Sequence, residues 1–199
     1  MKKSIISEDL YQIQLEEKNM PDLLKNMYNR ESLQEAAEAF QSVYSPFPID
    51  KFLKSTMDET WEDLELKARV RKISVSLGKY LPSEYKEALS ILDQVIITPF
   101  TGFFGIFFPD FVEVYGQDQA NWDLSMNALE RYTKYSSSEV AVRPFIINYE
   151  ERMMAQMYEW SKNENEHVRR LSSDGCRPQL PWGQALPEFK KDPSPILPI

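Results

Sequence analysis

Apolar residues recur every three or four positions along most of this chain and almost never in strict alternation. That spacing is the signature of helices with one buried face. The clearest stripe spans residues 31–44, where Leu33, Ala36, Ala37, Phe40 and Val43 share a face before Pro46 and Pro48 end it. A longer stripe over residues 60–80 carries Trp61, Leu64, Leu66, Val70, Ile73 and Leu77. Shorter helices are predicted at 7–17, 21–28 and 49–55. Another is predicted at 84–96 behind a Ser83 cap, and one from Asp118 or Asn121 to about Tyr135. Ser136 to Ser138 are placed to cap the next helix, which takes Pro144 in its first turn or as a kink and runs to Trp160. Residues 103–115 read as aromatic and irregular. No Asn-Gly or Asp-Gly lies between alternating runs, so strand signals are nearly absent. The pattern predicts an all-α fold of helix pairs joined by short turns, an α-solenoid, although no clean period is visible. The closing residues SPILPI read as the start of a further helix without a partner, which predicts that the protein continues beyond Ile199.

Composition narrows the class. An apolar content of 42% with many aromatics suits a packed chain rather than a disordered one. The richest apolar segment, 95–111, is broken by Thr98, Pro99, Gly102, Gly105 and Pro109, so it reads as a buried loop or short helix pair and not a membrane span. Lys2 and Lys3 precede no apolar signal core. A single cysteine with a single histidine makes neither an internal disulfide nor a typical structural zinc site. The sequence therefore predicts a cytoplasmic protein without metal. Net charge is −8, which argues against a nucleic-acid partner until its distribution is considered. Residues 1–130 carry 13 Lys/Arg and 22 Asp/Glu, whereas residues 131–199 carry 10 and 9. The acidic excess lies in the first part.

Candidate chemistry concentrates in residues 163–186. Asn163 with Glu166 forms a capping-box pattern, Val168 and Leu171 face inward, and Gly175 is the predicted left-handed stop. Arg170 and Asp174 are four apart and share a face. Arg177, Pro178, Pro181 and Trp182 then make a stiff turn carrying an indole.

The stretch HVRRLSSDGCRPQLPWGQALPEFKKDPSPILPI (167–199) resembles the DNA alkylation-repair glycosylases of the AlkC/AlkD type, more closely the AlkC branch. SEVAVRPFI (138–146) and WEDLELKARVRKISVSLGKYLP (61–82) are similar to two further blocks of that family. The resemblance implies a HEAT-like helical array, with residues 1–57 as an N-terminal helical cap and 58–199 as HEAT-like helix pairs of one domain. It implies double-stranded DNA with alkylated bases as partner and hydrolysis of the N-glycosidic bond of cationic methylated bases, such as N3-methyladenine, without cofactor. Asp174 stands where the family usually has Glu. The family's principal catalytic aspartate corresponds to a repeat beyond Ile199, so no position here takes that role.

Glycosidic cleavage builds positive charge on the sugar as the base leaves, and a nearby carboxylate stabilises it. By this reading Glu139, Asp174 and Trp182 line the lesion pocket, the indole through its attraction for cations. Arg143, Arg169, Arg170 and Arg177 are candidates for phosphate contacts. Plainer readings stand beside each of these. Asp174 is an i,i+4 partner of Arg170, Glu139 is a first-turn carboxylate paired with Arg143, Trp182 is a packed loop aromatic, and the arginines form a solvated face. His167 reads as a surface residue, Cys176 as packing, and Phe100, Phe103, Phe104, Phe107, Phe108 and Phe111 as core. Arg69, Arg71 and Lys72 read as a solvated helix face or a backbone contact to DNA. The alternative function is a non-catalytic helical-repeat module that binds DNA or protein.

Overall fold

The computed structural model describes residues 24–96 and 100–199. All regular structure among them is helical, with no strand. The predicted helix at 7–17 and the first residues of the one at 21–28 lie outside the described residues; the remainder of the second is a 3₁₀ turn, Leu24–Met27. Helix α1 (Arg30–Val43) opens with a reciprocal cap: Asn29 Oδ1 accepts from Ser32 N, and Ser32 Oγ accepts from Asn29 N. Its predicted stripe is buried, with Leu33, Ala37 and Phe40 wholly so. Helices α2 (Ile49–Thr56), α3 (Leu66–Tyr80), α4 (Tyr85–Val95), α5 (Phe107–Tyr115) and α6 (Trp122–Tyr132) come next. The last four are α7 (Arg143–Asn148), α8 (Glu150–Trp160), α9 (Glu166–Gly175) and α10 (Pro187–Lys191).

Helices two apart in the chain lie side by side: α3 packs on α5, and α4 on α6. Helix α1 packs on α2 and α4, α5 on α6, and α7 to α9 are joined in series. Packing of each helix mainly on helices near it in the chain is that of a helical-repeat array. A ladder of aromatic rings runs through it. Phe107 stacks on Phe108 at 4.5 Å between centroids, Phe108 faces Phe40 at 6.1 Å, and Phe108 meets Tyr132 edge-on at 5.9 Å. Burying each such ring stabilises the fold by roughly 1.5–3 kcal/mol. Tyr132 and Tyr28 are so enclosed that their hydroxyls are held well above the ordinary phenol value by loss of water.

Several boundaries differ from the sequence expectation, each for a tertiary reason. Residues 60–80 are not one helix. Trp61–Asp63 is a 3₁₀ turn, Leu64 is extended, and α3 starts after Glu65. Buried Arg69 fixes this break by donating to the carbonyls of Leu64, Lys25 and Tyr28 and lying over the Trp61 ring. Glu84, not Ser83, precedes α4. The helix predicted through Trp160 divides at Tyr149, whose hydroxyl donates to the Gln117 carbonyl at 2.9 Å and whose ring meets Trp122 edge-on. Pro144 does sit in a first turn. Asn165, rather than Asn163, caps α9. Gly175 is no left-handed stop. It is the last helical residue, and its missing side chain lets α9 approach Val142 and Met157, where a Cβ would come within 2.8 and 3.1 Å. The closing SPILPI forms turns, not a helix, with Ile196 and Ile199 packed against the core.

Candidate functional site

One cleft of about 540 Å³ crosses the stack. The first turn of α3, the Gly102–Ile106 3₁₀ turn, α5, the loop after α6, α9 and the 177–182 loop all border it. Among drug-sized pockets this is an ordinary volume. Glu139, Asp174 and Trp182 all line it, as do Arg170, Arg177 and His167.

Glu139 lies in the turn leading to α7 and is largely buried. Arg170 Nη2 reaches its Oε1 at 3.1 Å, and Arg170 Nε reaches Asp174 Oδ2 at 2.9 Å. One guanidinium therefore bridges two carboxylates from different elements. Burial raises the Glu139 carboxyl above the ordinary carboxylate range, Arg170 pulls it back down, and Asp174 pushes it up. Arg177 approaches Asp174 at 3.7 Å from the adjoining loop. The i,i+4 pairing of Asp174 with Arg170 is thus real and also part of the cleft, whereas Glu139 pairs with Arg170 and not with Arg143.

Arg143 requires a correction. It is 0% exposed, and its guanidinium donates to the carbonyls of Gln184, Gly175 and Arg177, the last two at 3.1 and 2.9 Å. No donor faces solvent, so Arg143 is the post around which residues 175–184 fold and does not meet a phosphate. Gly183 leaves room for it, since a Cβ there would stand 2.7 Å from Arg143 Cδ. Arg169 is exposed, but it does not line the cleft; its Nη1 donates at 2.8 Å to the carbonyls of Asn163 and Glu164. Arg170 and Arg177 are the two candidates that the cleft retains.

Trp182 is the one non-glycine residue with a left-handed backbone among the described residues (φ 62°), and the residue is 52% exposed. For an ordinary residue that conformation costs about 1–2 kcal/mol. Leu180 O accepting from Gly183 N and Pro178 O accepting from Leu186 N close the loop that holds it there. Its ring meets Phe103 edge-on at 6.1 Å. Of the six phenylalanines read as core, Phe100, Phe107, Phe108 and Phe111 are buried and Phe104 packs partly buried against them, but Phe103 is exposed.

The sequence reading missed the far end of the cleft, formed by Lys67, Asp110 and Glu113. Arg71 donates to both Asp110 oxygens and to Glu113 Oε1, and Lys72 pairs with Asp58, so α3 does not present a free cationic face. Glu113 Oε2 is buried and accepts no hydrogen bond; Lys67 Nζ stands 3.8 Å away. Burial and the neighbouring Asp110 push the Glu113 carboxyl upward, against Lys67 and Arg71. The available signal was two carboxylates three residues apart inside the apolar run FFPDFVEV, which a helix places on one face.

Cys176 is buried and its thiol is pushed up to about 12 by loss of water, which suits packing and not nucleophilic work. Among the described residues, no group of three or more His, Cys, Asp and Glu is arranged to hold a metal, and no helix is long and apolar enough to cross a membrane. Chemically, the cleft offers two arginine-clamped carboxylates beside an exposed indole, a surface suited to a flat cation near a second developing positive charge.

No protein-family model matches the chain. The uncharacterized protein YhaZ of Bacillus subtilis is 48% identical over 176 residues, covering 88% of this chain and 48% of that protein. Among solved structures, the Pseudomonas fluorescens alkylpurine DNA glycosylase AlkC bound to DNA containing an abasic site analog superposes with a TM-score of 0.85 at 35% identity. The match covers 90% of this chain and 49% of that one. The chain spans about half the length of the relatives it matches.

Proposed function

We propose, from the likeness of this chain in sequence and fold to the AlkC glycosylase, that it serves DNA repair by recognising cationic N-methylated bases, N3-methyladenine among them, in double-stranded DNA. The proposed reaction is hydrolysis of the N-glycosidic bond, leaving an abasic site. An N3-methylated purine already carries positive charge and departs as a neutral base, so the main task is to stabilise the charge that grows on the sugar. Glu139 and Asp174 face that charge, Trp182 packs on the cationic base, and Arg170 and Arg177 meet the adjoining backbone. Water supplies the hydroxyl, and no cofactor enters the scheme. In the same reading the chain is one cytoplasmic helical-repeat domain in which residues 1–57 cap 58–199.

The observation that supports this reading most is the convergence of Glu139 and Asp174 on Arg170 beside the exposed Trp182, within one cleft. The test is release of methylated bases from N-methylated duplex DNA by this chain and by a protein extended to the full length of its relatives. Release above buffer is expected from the extended protein, with Asp174→Asn lowering release more than DNA binding. No release by the extended protein overturns the glycosylase reading. Equal losses of release and binding would make Asp174 structural.

A second reading has its own support. The net charge of −8 favours a non-catalytic module that binds DNA or protein. Salt-dependent DNA binding without base release by any length of the protein would select it.

A further inference from the structure

His167 is the one histidine of the chain, and the reaction proposed above leaves it without a task. Its place on α9 gives it one. Positions 167, 170 and 174 follow one another at steps of three and four, which is a single helical face. All three line the cleft, whereas Arg169 lies off it. The His167 side chain is 53% exposed, and among the described residues its imidazole makes no hydrogen bond. The lysines and arginines that line the cleft are each drawn toward a carboxylate. Lys67 stands 3.8 Å from Glu113, Lys134 3.9 Å from Glu130 and Arg177 3.7 Å from Asp174, while Arg170 is bound to both Glu139 and Asp174. The carboxylate by His167 is Glu166, 3.9 Å from Nε2, and it points out of the cleft into solvent. On this face of α9 the imidazole is therefore the donor left open to a ligand.

We propose that His167 contacts a backbone phosphate of duplex DNA through its protonated imidazole. This rests on the reading of the chain as a DNA-binding protein. Protonated imidazole donates from either nitrogen, and a phosphate oxygen is a strong charged acceptor for it. The ligand is a phosphate and not a base edge, because a half-exposed donor with Arg170, Arg177 and Lys134 in the same cleft suits a polyanion that passes over it. Among the charged groups around it, Glu166 favours the protonated ring and Arg170, one turn on, opposes it. Glu139 and Asp174 are themselves engaged by Arg170. A bound phosphate adds a negative charge and tips this balance toward the proton. Imidazole ordinarily changes charge between about pH 5 and 8, whereas guanidinium keeps its own. The contact is thus present at the acid end of that range and lost as pH rises through it.

The test titrates the 199-residue chain with fluorescent, fully paired duplex over a range of salt, at about pH 6 and at about pH 8. The parent's slope of log affinity against log salt is expected to be steeper at the acid pH by up to about 0.9, the share of one phosphate. His167→Gln shows the shallow slope at both pH values, and His167→Lys, a permanent cation, the steep slope at both. The imidazole Cε1 proton resonance, single in this chain, is expected to titrate with a higher midpoint in the presence of duplex than in its absence. A parent that binds duplex with the same slope at both pH values overturns this inference alone. So does a His167→Gln protein that keeps the parent's difference, since the proton then belongs to a carboxylate such as Glu139. A parent that binds no duplex overturns the function reading and this inference with it. Should His167→Gln lose its helical circular dichroism, the parent's resonance decides, and a midpoint unmoved by duplex overturns the inference.

Discussion

At Glu139, burial and charge pull in opposite directions. Enclosure raises its carboxyl, Arg170 at 3.1 Å lowers it, and Asp174 raises it again. If Glu139 serves the proposed reaction, it stabilises the sugar cation only when ionised, so base release is expected to fall as pH drops through its pKa in the folded protein. Base release by the extended protein is therefore expected to show an acid limb above the ordinary carboxylate range. Arg170→Ala moves that limb to higher pH, because the attraction that favours the charged form is gone. Asp174→Asn moves it to lower pH, because a neighbouring negative charge is gone. Single-turnover release measured across pH, with buffer-driven depurination subtracted, checks both. A limb that neither variant shifts belongs to another group. The same sign logic applies to stability at Glu113. Its folded-state pKa is raised, so the folded protein binds the extra proton, and stability declines as pH climbs through the raised value.

At the scale of elements, Arg143 illustrates how much sequence can reveal. From the chain alone it is a cation four residues after Glu139, and pairing or phosphate contact were reasonable readings. What decides its role is that residues 175–184 come back over α7 and supply carbonyl acceptors, a contact 32 to 41 residues distant. Local pattern cannot register such a return. Helix faces were legible, since Leu33, Phe40, Val70, Ile73 and Leu77 are buried as their spacing requires. Breaks at Leu64 and Tyr149 were not, because Arg69 and the Tyr149 hydroxyl set them through distant carbonyls. The candidate site was half legible: the Glu139–Asp174–Trp182 end came with motifs, whereas the Lys67–Glu113 end is assembled by the packing of α3 on α5. Arg143→Ala should consequently cost on the order of 3 kcal/mol, because its removal leaves several buried carbonyls without a donor. Urea unfolding monitored by circular dichroism measures this. A loss under about 1 kcal/mol, within the range of surface substitutions, would mean the loop stands without its post.

The whole molecule poses an electrostatic question. Residues 1–130 carry nine more carboxylates than cations, and any DNA partner must be met despite that field. Long-range repulsion is screened within about 8 Å at physiological salt, so local cations decide the contact. Within the cleft Arg170 is already engaged by two carboxylates, whereas Arg177 is exposed and stands 3.7 Å from Asp174, too far for a firm hydrogen bond. Arg177 is therefore the cation most available to a phosphate, and Arg169 the natural control because its guanidinium donates to its own backbone. Each phosphate contact contributes about 0.9 to the slope of log affinity against log salt. Arg177→Ala is expected to flatten that slope by about one, and Arg169→Ala to leave it unchanged. Titration of the chain with fluorescent duplex from low to physiological salt measures both. If Arg177→Ala leaves the slope intact, DNA does not track over the 177–182 loop, and any phosphate contact falls to another cation of the cleft, Lys67, Lys134 or Arg170.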